Sequence, residues 1–135
     1  GAGTDVAVAP FDNYEAEILQ ASLFMKRRQW VDALANLNRG QYTLARILLE
    51  RLGKHPESDY ETACEIRAQI IDRGYASELW NEMHDEIKEL LRTRRPAPEA
   101  VRILHRRALD LLDEAKRTLP ILDQKKALAA AEIPG

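Results

Sequence analysis

Apolar residues return every three or four positions along two stretches of the chain, Ala76-Leu79-Met83-Ile87-Leu90 and Val101-Leu104-Ala108-Leu111-Ala115, with charged residues between them. That period matches the turn of an α-helix and puts each set on one face. Ile18, Leu19, Leu23 and Met25 begin an earlier stripe, which resumes at Trp30, Leu34 and Leu37 and continues through Leu44, Leu48 and Leu52. The basic run Lys26-Arg27-Arg28 interrupts it, predicting a kink or short turn at 26–29. Asp12 and Glu15 have capping-box spacing, with Phe11 placed to staple onto Ala16, so a first helix is predicted to start near Asn13. Gly40 falls inside the second stripe, where it costs a helix about 1 kcal/mol relative to alanine. Gly53, followed by His55-Pro56, ends that element.

Ser58 and Glu61 repeat the capping signature ahead of a helix with Tyr60, Ala63, Ile66 and Ile70 on its buried side, which Gly74 breaks or bends. The next helix is predicted from about Ala76 to Arg92, until Pro96-Ala97-Pro98 forces an extended connection. Pro98 and Glu99 suit the first turn of the helix that follows, whose seam ends near Leu119. Pro120 should start or kink a last segment, Ile121 to Ile133, with too little apolar area to stand alone. The expected fold is all-α: a mostly antiparallel bundle of four to five helices over residues 12–119. A flexible arm at 1–11 precedes it, and a weakly apolar C-terminal tail helix at 120–135, docked or frayed, follows.

Composition adds bounds. A chain of 135 residues, 45% apolar and 31% charged, fits one domain with its own core. Cys64 is the sole cysteine, so no intramolecular disulfide can form and a reducing cytoplasm is the expected setting. No run approaches the roughly 18 apolar residues of a membrane span, and the N-terminus lacks a basic region followed by a long apolar core, so neither membrane insertion nor export is expected. The net charge of −2 is distributed in blocks: residues 1–25 and 57–91 are acidic, whereas 26–54 and 92–107 are basic. Opposite blocks on neighbouring helices favour one register more than they add stability.

Candidate chemistry is sparse. His55, His84-Asp85 and Asp110 or Asp113 follow the order of helical HD-type metal phosphohydrolases, but His55 abuts a proline in an expected loop. Position −3 from each histidine is Leu52, Asn81 or Arg102, not the glutamate of a di-iron bundle. The ladder Glu78-Glu82-Glu86-Glu89 reads as a solvated face, and Trp30, Trp80 and Cys64 read as core residues. Arg92, Arg94, Arg95, Arg102, Arg106 and Arg107 form a basic segment without interleaved aromatics, which argues for an acidic helix or partner rather than nucleic acid. With no phosphate loop or nucleophile elbow, the expectation is a protein without catalytic residues, metal or cofactor.

Two resemblances sharpen this. Gly40-Gln41-Tyr42-Thr43-Leu44-Ala45, then Leu48 and Pro56, resembles one tetratricopeptide unit, but a step of 34 residues carries Tyr42 onto Ala76 and Pro56 onto Leu90, so at most a degenerate adaptor hairpin is implied. Gln29-Trp30-Val31-Asp32-Ala33-Leu34 with Leu37, Tyr42 and Ala45, and later Glu86-Ile87-Lys88-Glu89-Leu90-Leu91 with Arg94-Arg95, resemble two segments of FliT-type flagellar export chaperones, in order and over about half the chain. The Pro96-Ala97-Pro98 break falls where that family tends to continue its helix. The resemblance implies a cytoplasmic antiparallel bundle that shields an amphipathic helical segment of a client protein, with Ile87, Leu90 and Leu91 as groove residues and Arg94 and Arg95 as partner-binding guides. It further implies a regulatory tail, here carrying Ile121, Leu122 and Leu128. The alternative reading is a ligand-responsive or oligomerising helical domain of a regulatory protein, with a second copy of the chain as partner.

Overall fold

The computed structural model describes residues 9–132 and is all-helical there. Five helices follow one another: α1 (Asp12–Lys26), α2 (Trp30–Glu50), α3 (Asp59–Ile66), α4 (Leu79–Leu91) and α5 (Pro98–Glu132). A single π turn, Arg67–Ile71, extends α3. Residues 1–8 of the predicted arm and 133–135 of the predicted tail lie outside the described residues. Within the arm's predicted limits, Phe11 is buried in the core.

The caps explain the boundaries. Ser58 accepts the Glu61 N–H at 3.0 Å, as its spacing predicts, while the Glu61 carboxylate takes the Glu57 N–H. The Asp12/Glu15 box does not form; Asp12 instead accepts from the Ala9 N–H at 3.1 Å, and the helix starts one residue earlier. Gly53 and Gly74 take positive φ, closing α2 and α3 with bonds from Lys54 N–H to Leu49 C=O and from Tyr75 N–H to Ile70 C=O. The same closure ends α1, with Gln29 N–H on Phe24 C=O, but there Arg28 holds the left-handed position at φ 59°. An L side chain in that conformation costs about 1 kcal/mol. Arg28→Gly is therefore expected to raise the free energy of unfolding by up to about 1 kcal/mol in urea titration; an unchanged or lower value would contradict the strain.

Helix α2 touches every other helix. It runs antiparallel to α1 across the turn at 27–29, while α1 and α4 each run antiparallel to α5. Tyr14 Oη–H donates to Ala108 C=O, and Ser77 and Glu86 meet Glu114 and Arg107. Parallel to α5, α2 sets Trp30 beside Arg102 at one end and Arg51 beside Asp123 at the other. Burying Leu34, Leu37, Leu44, Leu49, Ile66, Ile70, Met83, Ile87, Leu104 and Leu122 makes one core.

Several expectations change. Tyr60 is 79% exposed and Thr62 is buried in its place. Cys64 is exposed rather than on an apolar face. The π turn, which sequence periodicity does not reveal, adds a residue to the α3 turn so that adjacent Ile70 and Ile71 are both buried. Pro120 neither starts nor ends a helix: α5 passes through it. The missing N–H costs one bond to the carbonyl of residue 116, but buried Leu119 and Leu122, the Thr118–Tyr75 hydrogen bond and the Arg51–Asp123 ion pair hold the chain on both sides. At 1.5 Å per residue α5 is about 52 Å long and α2 about 31 Å, so α5 outruns its neighbour. From Asp123 to Glu132 every residue is exposed.

Candidate partner-binding surface

Between α1 and α5 runs a groove of about 350 Å³ whose floor is Ile18 and Leu112 and whose rims are Leu19, 61% exposed, and Leu109, 44% exposed. Helical spacing produces it. On α1 the core side is Tyr14, Ile18 and Ala21, leaving Leu19 and Leu23 turned outward. On α5, Leu104, Ala108, Leu111 and Ala115 face inward, leaving Leu109 at the flank. Both helices thus carry more apolar positions than the core accommodates. Glu15 and Ser22 line the groove from α1, and His105 lines it from α5. Burial lowers the His105 pKa, against the opposing effect of a hydrogen bond to the Ile18 backbone, and its Nε2 has no partner. The ring borders the groove, but its unpartnered Nε2 is buried beneath the surface and does not face the opening.

A second cluster joins α2, α3 and α4. His84 stacks on Trp80 with centroids 5.0 Å apart, Tyr42 meets both edge-on, and Trp80 Nε1–H donates to Gln41 C=O at 2.9 Å. Arg67, the first residue of the π turn, lies 3.2 Å from His84 Nδ1 and donates to Asn81 at 2.7 Å. The Asp85 carboxylate also faces Nδ1, at 3.5 Å, and Nε2 lies 3.1 Å from the Tyr42 hydroxyl, which can donate to the ring or accept from it. Burial lowers the His84 pKa, opposed by Asp85. Tyr42, Trp80 and His84 are buried and hydrogen-bonded, as in a core network that fixes helix register.

The sign of the resulting pH dependence follows. A histidine whose folded pKa lies below about 6.5 stabilises the fold fully above that pH, and the contribution is lost as pH falls toward the depressed value. The melting temperature should fall between about pH 7 and 5, and His84→Gln should reduce that fall. An identical pH profile in the variant would contradict a neutral buried His84.

The residues singled out by sequence are dispersed. Ile87 is fully buried and so belongs to the core, not to an open groove. Leu90 is half-buried, while Leu91, 44% exposed, ends α4. Arg94 and Arg95 are exposed in the α4–α5 connector, where they line a cleft of about 380 Å³ with Arg28, Trp30, Val31 and Pro96. In the tail, Leu122 is core, and Ile121 and Leu128 are exposed. Lys125 covers the Tyr75 ring, so the tail stands at the opposite end of the bundle from Leu91 and Arg94 and does not cover them. Of the groove leucines, Leu19 fell on the first stripe, whereas Leu109 and Leu112 lie off the Val101-Leu104-Ala108-Leu111-Ala115 seam, and nothing in the sequence marked either rim position as surplus.

Among the described residues no group of three or more His, Cys, Asp or Glu side chains gathers to hold a metal ion, and no helix is long and apolar enough to cross a membrane. No protein-family model matches the chain, and comparison with curated proteins and with solved structures gives no match.

Proposed function

We propose that this chain is a non-catalytic, cytoplasmic adaptor of the export-chaperone kind, holding an amphipathic helical segment of a client protein in the groove between α1 and α5. The observation that carries the reading is the groove itself: an apolar floor and two rims of exposed leucine between two helices, the setting in which an amphipathic helix lays its apolar face. An apolar face laid there would cover Leu19 and Leu109, each CH₂ removed from water adding about 0.8 kcal/mol. The similarity of the segments around Trp30 and Leu90 to FliT-type chaperones supports the same kind of activity, with the receiving surface moved from α4 to the α1–α5 face.

The test uses a fluorescein-labelled amphipathic peptide of leucine, alanine and glutamine, about 18 residues or roughly 27 Å as a helix. Fluorescence anisotropy should show saturable binding that Leu19→Glu and Leu109→Glu each weaken by roughly tenfold or more, about 1.4 kcal/mol. Both positions are exposed, so the melting temperatures should stay near that of the parent. Absence of binding, or binding indifferent to both substitutions, would overturn the reading. A concentration-dependent dimer in sedimentation that Leu109→Glu dissociates would replace the client with a second copy of this chain.

A further inference from the structure

Two basic runs far apart in sequence meet at one end of the bundle, because the α1–α2 turn and the α4–α5 connector close the same end. Lys26-Arg27-Arg28 comes from the first, Arg94-Arg95 from the second, and Arg102 of α5 stacks over Trp30 at 4.8 Å. Asp32 also lines this cleft, but none of Arg28, Arg94 and Arg95 comes within 4 Å of its carboxylate or of any other among the described residues, so three cations face one acid there. The first turn of α2, whose cap makes no side-chain hydrogen bond, and Pro98 at the start of α5 line the same cleft; Asp32 and Glu99 in those first turns offset the two helix dipoles, so the arginines carry the positive field. Arg28 occupies its place in a left-handed conformation that glycine would adopt without strain, so the charge is held there against the local backbone preference.

This basic end continues the groove. The α5 positions 112, 109 and 105 that line it step next to Arg102, and on α1 Ser22 steps to Lys26. We infer that the segment held in the α1–α5 groove carries a cluster of Asp or Glu at the end that reaches Arg28, Arg94 and Arg95. The inference rests on the reading that the groove holds a helix and adds the chemistry of its partner. Charge complementarity selects an acidic terminus. A protein segment is favoured over a nucleic acid because Arg102 already covers the Trp30 face that a base would stack on, apolar Val31 and Pro96 form part of the cleft wall, and Glu15 lies along the groove where a polyanion would run.

The experiment compares three probes on the full chain: the neutral amphipathic peptide above, the same peptide with four Glu at one terminus, and an oligothymidylate of similar length. At about 50 mM salt the acid-ended peptide should bind about tenfold more tightly than the neutral one, and most of that advantage should vanish near 500 mM. Arg28→Gly should remove most of the advantage while leaving affinity for the neutral peptide unchanged. Because that variant is expected to be at least as stable as the parent, the loss would not come from unfolding. Arg94→Gln with Arg95→Gln should do the same from the other side of the cleft. Equal affinity for the two peptides, or an advantage that survives both sets of substitutions, would overturn the inference and leave the groove reading standing. Failure of both peptides to bind would overturn both. Oligothymidylate binding more tightly than the acid-ended peptide would assign this end to nucleic acid instead.

Discussion

Trp80→Ala is expected to lower the free energy of unfolding by about 3–5 kcal/mol, a large part of the 5–15 kcal/mol that holds a domain of this size together. The indole is buried among α2, α3 and α4, where it stacks on His84, receives the edge of Tyr42 and gives its N–H to Gln41 C=O. Truncation would open a cavity and leave the Tyr42–His84–Arg67 network without the surface it packs on. Trp80→Phe keeps most of the ring contact and loses the hydrogen bond, so a smaller cost of about 1–2 kcal/mol is expected. Urea titration of the two variants checks the order; a loss below about 1 kcal/mol for the alanine variant would contradict Trp80 as the anchor of these helices. Trp30 reads identically in sequence, yet it is only half-buried and sits under Arg102, so its replacement should cost much less stability.

Gly40 should separate two substitutions that sequence alone would grade alike. A β-carbon there would lie 3.4 Å from Glu17 Cβ and 3.5 Å from Tyr14 Cε1, at ordinary van der Waals contact. Gly40→Ala therefore fits and is expected to gain up to about 1 kcal/mol from helix propensity. Gly40→Leu must push α1 away, disturbing the ring whose hydroxyl donates to Ala108 C=O at 2.8 Å and the Asn36–Glu17 hydrogen bond beside it. Overpacking of this kind costs about 1–3 kcal/mol, with the upper end expected because α1 is also bound to α5 through Tyr14. Thermal melts of the two variants should shift in opposite directions. A destabilised alanine variant would contradict the room that these distances give a β-carbon beside α1.

The same positions show where reading along the chain stops. The glycine penalty at Gly40 was legible; its compensation, the close passage of α1, was not, because it depends on Tyr14 and Glu17, more than twenty residues away. Both tryptophans fell on apolar stripes, and only the packing of α4 against α2 distinguished them. Ile87 and Leu19 also read alike as members of helical stripes, but the first is enclosed and the second is left on the rim of the groove.

What the sequence determined by itself is local: the all-helical class, the turn at 26–29, the Ser58 cap, the closures at Gly53 and Gly74, and the break before Pro98. Each depends on side chains and backbone groups within about five residues, where a 3.6-residue period or a missing N–H acts directly. The tertiary structure alone decided that α2 and α5 run parallel, that α5 crosses Pro120, that Leu19 and Leu109 remain uncovered, and that arginines at 28, 94 and 95 share one cleft. Those outcomes depend on which faces find partners among helices distant in sequence, and burial is a property of that pairing rather than of any single stretch of chain.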